Sequence, residues 1–93
     1  MPKITFDAAK REATLKARGL DFADAAEVFA GPVFSLVDDR FDYGEERVVT
    51  VGVLGGRMVI VVWTARGDAR HVFSMRKAND REQARYSREL RAR

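Results

Sequence analysis

The fold is decided by the segment from Arg47 to Lys77, which reads RVVTVGVLGGRMVIVVWTARGDARHVFSMRK. This segment is the part of the chain richest in β-branched and aromatic residues, the types that favour strands. Val48 to Leu54 and Met58 to Ala65 are apolar runs of strand length, and the glycine pair Gly55-Gly56 between them suits a tight hairpin. A second turn leads into Arg70 to Arg76, where apolar and polar residues alternate. The segment therefore predicts an antiparallel meander of three strands.

Alternation along these strands predicts one apolar and one polar face of the sheet. His71, Phe73 and Met75 are expected on the apolar face, where we interpret His71 as structural and Trp63 as a core residue. The opposite face is expected to carry the polar residues of all three strands, which could converge if the register allows. These residues are Glu46, Thr50, Thr64, Arg66, Arg70, Ser74 and Arg76. This polar face is the predicted site.

Helices are predicted on both sides of the meander in the sequence. Asp7 is typical of the residue that caps a first helix, which ends near Gly19. Asp21 is expected to cap a second helix, and Asn79 begins a third in which Glu82 completes a capping box. Short strands are expected at Ile4 to Phe6 and, at a sheet edge, at Val33 to Val37.

These elements predict a single domain over residues 1–93, with an α+β fold. In it a small antiparallel sheet carries the N-terminal helices on one face and is joined by a C-terminal helix. The acidic segment from Asp38 to Glu46 is interpreted as a solvated loop. Its carboxylates lack the spacing of a calcium loop, so neither a metal site nor a cofactor is predicted.

Composition narrows the class of protein. The chain has 93 residues and no cysteine, which excludes disulfides and thiol chemistry. It has no apolar run long enough to span a membrane, so we expect a cytoplasmic protein without a membrane partner. Residues 66–93 carry 9 basic and 4 acidic side chains, whereas residues 1–65 carry 8 basic and 10 acidic ones. An arginine-rich third of this kind favours a partner that bears phosphate groups.

Six short motifs, in this order and spacing, resemble the BrnT-type ribonuclease toxins of bacterial type II toxin–antitoxin systems. They are Phe6-Asp7-x-x-Lys10, Gly19 to Ala25, Val28-Phe29, Tyr43 to Arg47, Thr64-x-Arg66-Gly67-Asp68, and Ser74 to Ala78 with Glu82 and Tyr86. The chain departs from the family at Thr14, Arg18 and Met75, where asparagine, histidine and a small residue are usual.

The resemblance implies a RelE-like fold and metal-independent cleavage of RNA that blocks translation. It also implies neutralisation by a BrnA-type ribbon-helix-helix antitoxin, in an expected assembly of two toxins with two antitoxins that contacts DNA only through the antitoxin. A second interpretation is a noncatalytic module that binds nucleic acid or antitoxin and acts in DNA-bound autoregulation.

Cleavage of RNA without a metal requires a base for the 2′-OH, positive charge for the phosphorane, and an acid for the leaving 5′-oxygen. Arg66 and Arg76 are the candidates for the positive charge, because each is expected at the end of a strand on the polar face. Glu46 is the candidate base, and Tyr86 is the candidate acid or a stacking surface for a base. The residues expected to bind RNA are Arg47, Arg70, Lys77 and Arg81.

Overall fold

The computed structural model describes residues 3–38 and 44–92, which form an α+β fold of five strands and three α-helices. The strands are β1 (Lys3–Phe6), β2 (Phe34–Asp38), β3 (Arg47–Leu54), β4 (Arg57–Arg66) and β5 (Ala69–Lys77). The helices are α1 (Ala8–Arg18), α2 (Ala25–Ala30) and α3 (Asp80–Arg91), with a 3-10 turn at Phe22–Asp24 before α2. The predicted meander is confirmed as β3, β4 and β5. Residues 39–43 of the predicted acidic loop lie outside the described residues.

The strands form one sheet in the order β1-β5-β4-β3-β2. All neighbouring pairs are antiparallel except β1 and β5, which run parallel with Thr5 opposite His71. The sheet is therefore mixed, and the prediction of a purely antiparallel sheet was wrong. The composition of a four-residue strand indicates its conformation but not its partner or direction, so this pairing was not readable.

The predicted ends of α1 and the predicted start of α3 are confirmed by their hydrogen bonds. The prediction that Asp21 caps the second helix was wrong, because its carboxylate accepts from the Ala23 N–H and begins the 3-10 turn, after which α2 starts at Ala25. The Asp7 carboxylate accepts from the backbone N–H of Lys10 at 3.0 Å, and Gly19 ends α1 with a φ of 68°. At α3 the Asn79 side chain accepts from the Glu82 N–H, and the Glu82 carboxylate accepts from the Asn79 N–H. No helix within the described ranges is both long and apolar enough to cross a membrane.

One face of the sheet, here called the α2 face, carries Val59, Val61 and Trp63 of β4. Buried side chains of the 3-10 turn and α2 pack on it together with residues of β5. The fully buried members of this core include Phe22, Ala25, Val28, Val59, Val61, Val72 and Met75. Gly52 of β3 also lies on this face, opposite Val59, and α2 approaches the sheet closely there.

We predict that Gly52→Ala destabilises the protein by about 1–3 kcal/mol, because it overpacks the core. A Cβ atom at Gly52 would lie 2.5 Å from Cγ1 of Val28 and 3.2 Å from Cγ1 of Val33. Val28 is fully buried and short, so it has little room to move aside. Urea unfolding measures the effect. The matched control is Gly31→Ala, whose Cβ would have no atom closer than 3.9 Å, and equal stability of the two variants would contradict the prediction.

The other face, here called the α3 face, carries Ile60, Val62 and Thr64 of β4. Leu90 and Tyr86 of α3 pack on it over β2 and β3, in a second core with Val51 and Ile60. The expectation of a face left to polar residues was therefore wrong for this half of the sheet.

The predicted faces were also wrong for Thr50. It pairs with Val61 on the α2 face and is fully buried, where its hydroxyl accepts from Trp63 Nε1 at 2.8 Å. The register of β3 against β4 decides this placement, and alternation within one strand does not reveal it.

A β-bulge in β5 places several side chains on the face opposite to the predicted one. Ser74 pairs with Val62 and Val72 pairs with Trp63, so Phe73 is an extra residue without a partner on β4. Met75 lies on the α2 face as predicted, but the side chains before the bulge exchange faces. Val72 and Arg70 lie on the α2 face, whereas His71 pairs with Thr64 on the α3 face. The prediction that His71 belongs to the apolar face was therefore wrong.

Candidate active site

Four polar side chains surround the ring of Phe73 at the half of the α3 face that lies near β1. Cζ of Arg47 is 4.0 Å from the ring centroid, Cζ of Arg66 is 5.5 Å from it, and Nζ of Lys10 is 5.9 Å from it. The imidazole of His71 meets the ring edge-on, with 5.3 Å between centroids. Cations at these distances are attracted to the face of an aromatic ring. The structure therefore gathers three positive groups and the sole histidine of the chain.

The sheet explains why these residues meet. Arg66 and Thr64 are alternate residues of β4, so both point to the α3 face. His71 is directly opposite Thr64 on β5, and Arg47 begins β3 on the other side of β4. Lys10 is in the first turn of α1, which follows β1 directly.

His71 is held by Thr5 of β1, whose Oγ1 lies 2.9 Å from Nδ1 of the imidazole. Burial lowers the pKa of His71 below its usual value, and the nearby Arg66 and Lys10 lower it as well. Glu45 and Asp7 act in the opposite direction but do not outweigh these causes. These causes favour the neutral form of the imidazole at pH 7. In the tautomer whose Nδ1–H donates to the Thr5 hydroxyl, Nε2 keeps a lone pair and can act as a base.

Arg66 forms a bidentate ion pair with Glu45. Nη2 donates to Oε1 at 2.8 Å and Nε donates to Oε2 at 3.4 Å. The guanidinium lowers the pKa of the Glu45 carboxyl, and the carboxylate raises the pKa of Arg66. The two side chains are 47% and 35% exposed, and ion pairs so open to water contribute little free energy. A phosphate group can therefore compete with Glu45 for this guanidinium.

Arg76 lies at the other end of the sheet. It pairs with Ile60, six residues along β4 from Arg66, which separates the two positions by about 20 Å. Its guanidinium donates to both carboxylate oxygens of Glu82 at 2.7 Å, and this pair lowers the pKa of Glu82 to about 2. The expectation that Arg66 and Arg76 gather over one phosphate was therefore wrong.

The other two predicted catalytic residues do not meet at Phe73. Glu46 is exposed, and its backbone carbonyl accepts the hydroxyl of Thr64, whereas the neighbouring Glu45 pairs with Arg66. Tyr86 belongs to α3 and packs against Phe34 of β2, with 5.8 Å between ring centroids. Tyr86 is near Arg76, and both belong to the contact between α3 and the sheet.

Of the four residues predicted to bind RNA, only Arg47 joins Arg66. Arg70 lies on the α2 face, where its Cζ is 4.1 Å from the ring centroid of Phe29 and 5.4 Å from that of Trp63. Lys77 and Arg81 are exposed at the end of β5 and in the first turn of α3, close to Arg76 in the sequence.

Sequence reasoning missed several residues of this cluster. Lys10 and Glu45 belong to motifs that resemble those of the BrnT family, so their positions carried a signal. Thr5 and Phe73 carried none, because the parallel pairing and the bulge that bring them together are not visible in the residue pattern. Within residues 3–38 and 44–92 no group of three or more histidine, aspartate and glutamate side chains is arranged to hold a metal ion.

Comparison with known proteins gives one family. A family model described as the ribonuclease toxin BrnT of type II toxin–antitoxin systems matches residues 6–82. A comparison with curated proteins gave no match. The matched range includes Lys10, Arg47, Arg66, His71 and Phe73, and it ends within the first turn of α3.

Proposed function

Since this chain belongs to the BrnT family of ribonuclease toxins of type II toxin–antitoxin systems, we propose that it is an endoribonuclease that cleaves RNA without a metal ion. Cleavage of messenger RNA would block translation. We further propose that its α+β sheet, with helices on both faces, is of the RelE-like type.

The observation that carries this proposal is the gathering of the His71 imidazole and the guanidinium groups of Arg47 and Arg66 around the ring of Phe73. RNA supplies its own nucleophile, the 2′-OH, so the protein needs a base and positive charge rather than a bound nucleophile. His71 supplies the base, and the two arginines supply donors whose planar geometry fits phosphate oxygens. Lys10 adds a third positive charge near the same ring.

The reaction is a transesterification in which atoms and charges balance. Nε2 of His71 takes the proton of the 2′-OH, the 2′-oxygen bonds to phosphorus, and the bond from phosphorus to the 5′-oxygen breaks. Arg66 and Arg47 stabilise the extra negative charge on the phosphorane. The leaving 5′-oxygen takes a proton from water, and the imidazolium returns its proton to the solvent. The products are a 2′,3′-cyclic phosphate and a 5′-OH.

The test is cleavage of a defined RNA by the purified protein in the presence of EDTA. We expect cleavage that leaves a 2′,3′-cyclic phosphate, because the base activates the 2′-OH of the substrate. The matched control is the same strand with 2′-deoxyribose at the cleaved position, which should stay intact. Cleavage of this control, or loss of activity in EDTA, would contradict the mechanism.

The family also implies an antitoxin partner. We propose a BrnA-type ribbon-helix-helix protein in an assembly of two toxins and two antitoxins that contacts DNA through the antitoxin. Light scattering of the complex purified after co-expression with a BrnA-type antitoxin measures this stoichiometry.

One observation favours the alternative of a noncatalytic module. Arg66 and Arg76 are both engaged in bidentate pairs within the chain, as they would be if they served only stability. The unusual Arg18 and Met75, however, have structural roles, since Arg18 Nη1 donates to the Met75 carbonyl at 3.0 Å and the Met75 side chain is buried. Absence of RNA cleavage together with intact antitoxin binding would favour the noncatalytic module.

A further inference from the structure

We propose that Phe73, the extra residue of the bulge in β5, is a positioning residue that holds Arg47, Arg66 and His71 in the arrangement that acts on RNA. This inference rests on the proposed function and adds to it a residue that does not itself touch the reacting atoms.

The bulge determines which face Phe73 occupies. With regular pairing from Met75 backwards, Phe73 would lie opposite Trp63 and point into the core of the α2 face. The extra residue instead places Phe73 beside Ser74 and moves His71 opposite Thr64. Bulges commonly re-aim side chains in this way next to functional sites. One irregularity of β5 therefore delivers both the aromatic ring and the base to the same surface.

The ring contacts each functional group differently. Arg47 lies over it with 4.0 Å from Cζ to the centroid, the closest of the cations, and Arg66 lies at 5.5 Å. Arg66 is thus held between Phe73 and the Glu45 carboxylate, which gives a long and mobile side chain two fixed neighbours. An aliphatic side chain of similar size would fill the space but would lack the negative ring face that attracts guanidinium groups.

The ring also shields His71. The two rings meet at an interplanar angle of 74°, and burial is the largest cause of the lowered pKa of the imidazole. The charged groups that face His71 come from several elements: Arg66 of β4, Glu45 before β3, and Lys10 and Asp7 at the start of α1. A leucine in place of the ring would keep the imidazole covered but would no longer hold Arg66, whose positive charge is the strongest of those that lower the pKa of His71.

The test compares Phe73→Leu, which keeps apolar bulk, with Phe73→Tyr, which keeps the aromatic face. We expect Phe73→Leu to lower kcat by roughly 10- to 100-fold through misplaced groups, with a smaller change in KM, and Phe73→Tyr to stay near the wild type. The control Leu36→Ala removes an exposed apolar side chain of β2 and should leave kcat unchanged.

A second readout does not depend on activity. His71 is the only histidine in the chain, so its NMR titration is unambiguous. We expect the pKa of His71 to rise toward its ordinary value in Phe73→Leu and to remain low in Phe73→Tyr. If the wild type cleaves RNA but Phe73→Leu changes neither kcat nor this pKa, the role of Phe73 is refuted while the proposed function stands. If the wild type does not cleave RNA, the proposed function fails, and an unchanged titration would refute the role of Phe73 as well.

Discussion

Replacing His71 by alanine is expected to lower the rate of RNA cleavage by roughly 10²- to 10⁴-fold, the usual contribution of a general base. Among the four side chains around the Phe73 ring, His71 alone can accept a proton at neutral pH, since Arg47, Arg66 and Lys10 are donors only, and the nearby Glu45 carboxylate is paired with Arg66. Its imidazole is only partly buried and is tied to Thr5 by one hydrogen bond, so the variant should fold. Single-turnover cleavage at neutral pH measures the loss, and circular dichroism checks the fold.

The pH dependence of the wild type gives the same prediction a second test. Protonated imidazole cannot act as a base, so the rate should rise with pH through the pKa of His71 and level off by neutral pH. This midpoint should lie below 6.5, because burial and Arg66 lower the pKa of His71 in the folded protein. A rate that falls as pH rises through this range would instead identify His71 as an acid, and wild-type activity in His71→Ala would remove it from the mechanism.

Features of the fold that depend on neighbours in sequence were predictable from the residues. The hairpin between β3 and β4 follows from two glycines that adopt positive φ, and both Gly55 and Gly56 do so. The caps at Asp7 and Asn79 follow from side chains that reach backbone N–H groups three residues away. These interactions join residues that are at most a few positions apart, so residues close together in the sequence are enough to predict them.

Features that depend on the relation between distant strands were not predictable in this way. A single extra residue at Phe73 exchanges the faces of Arg70 and His71, and composition does not mark it. The same holds for Thr50, whose hydroxyl is buried because the register sets it opposite Val61 and below the indole of Trp63. Alternation predicts which residues share a face within one strand, but pairing decides which face that is.

The residues of the candidate site show the same difference between local pattern and strand pairing. Arg66 was proposed because it was expected at the end of a strand on the polar face, and the regular pairing of β3 with β4 keeps it at the same end of the sheet as Arg47, which was expected to bind RNA. Arg76 was predicted by the same reasoning, but distance along the strand separates it from Arg66. A pattern that places two arginines on one face carries no information about whether they share one end of it.

Arg66→Ala is expected to reduce RNA cleavage by roughly 10²- to 10³-fold, because it removes a donor aimed at developing negative charge. Arg76→Ala should reduce cleavage by less than about tenfold but should lower stability by about 1 kcal/mol, since it breaks the pair with Glu82 that fastens α3 to β5. Cleavage assays and urea unfolding of the two variants separate these effects.

The matched control for both variants is Lys16→Ala, which also removes one positive charge but from an exposed position on α1. Lys16→Ala should change neither cleavage nor stability appreciably. That result would exclude the change in net charge as the cause of the losses in Arg66→Ala and Arg76→Ala. If Arg76→Ala abolishes cleavage and Arg66→Ala does not, the site lies at the α3 end of the sheet. Equal losses of cleavage in the two variants would indicate that one RNA strand extends from Arg66 to Arg76. Arg76, Lys77 and Arg81 would then bind a phosphate other than the scissile one.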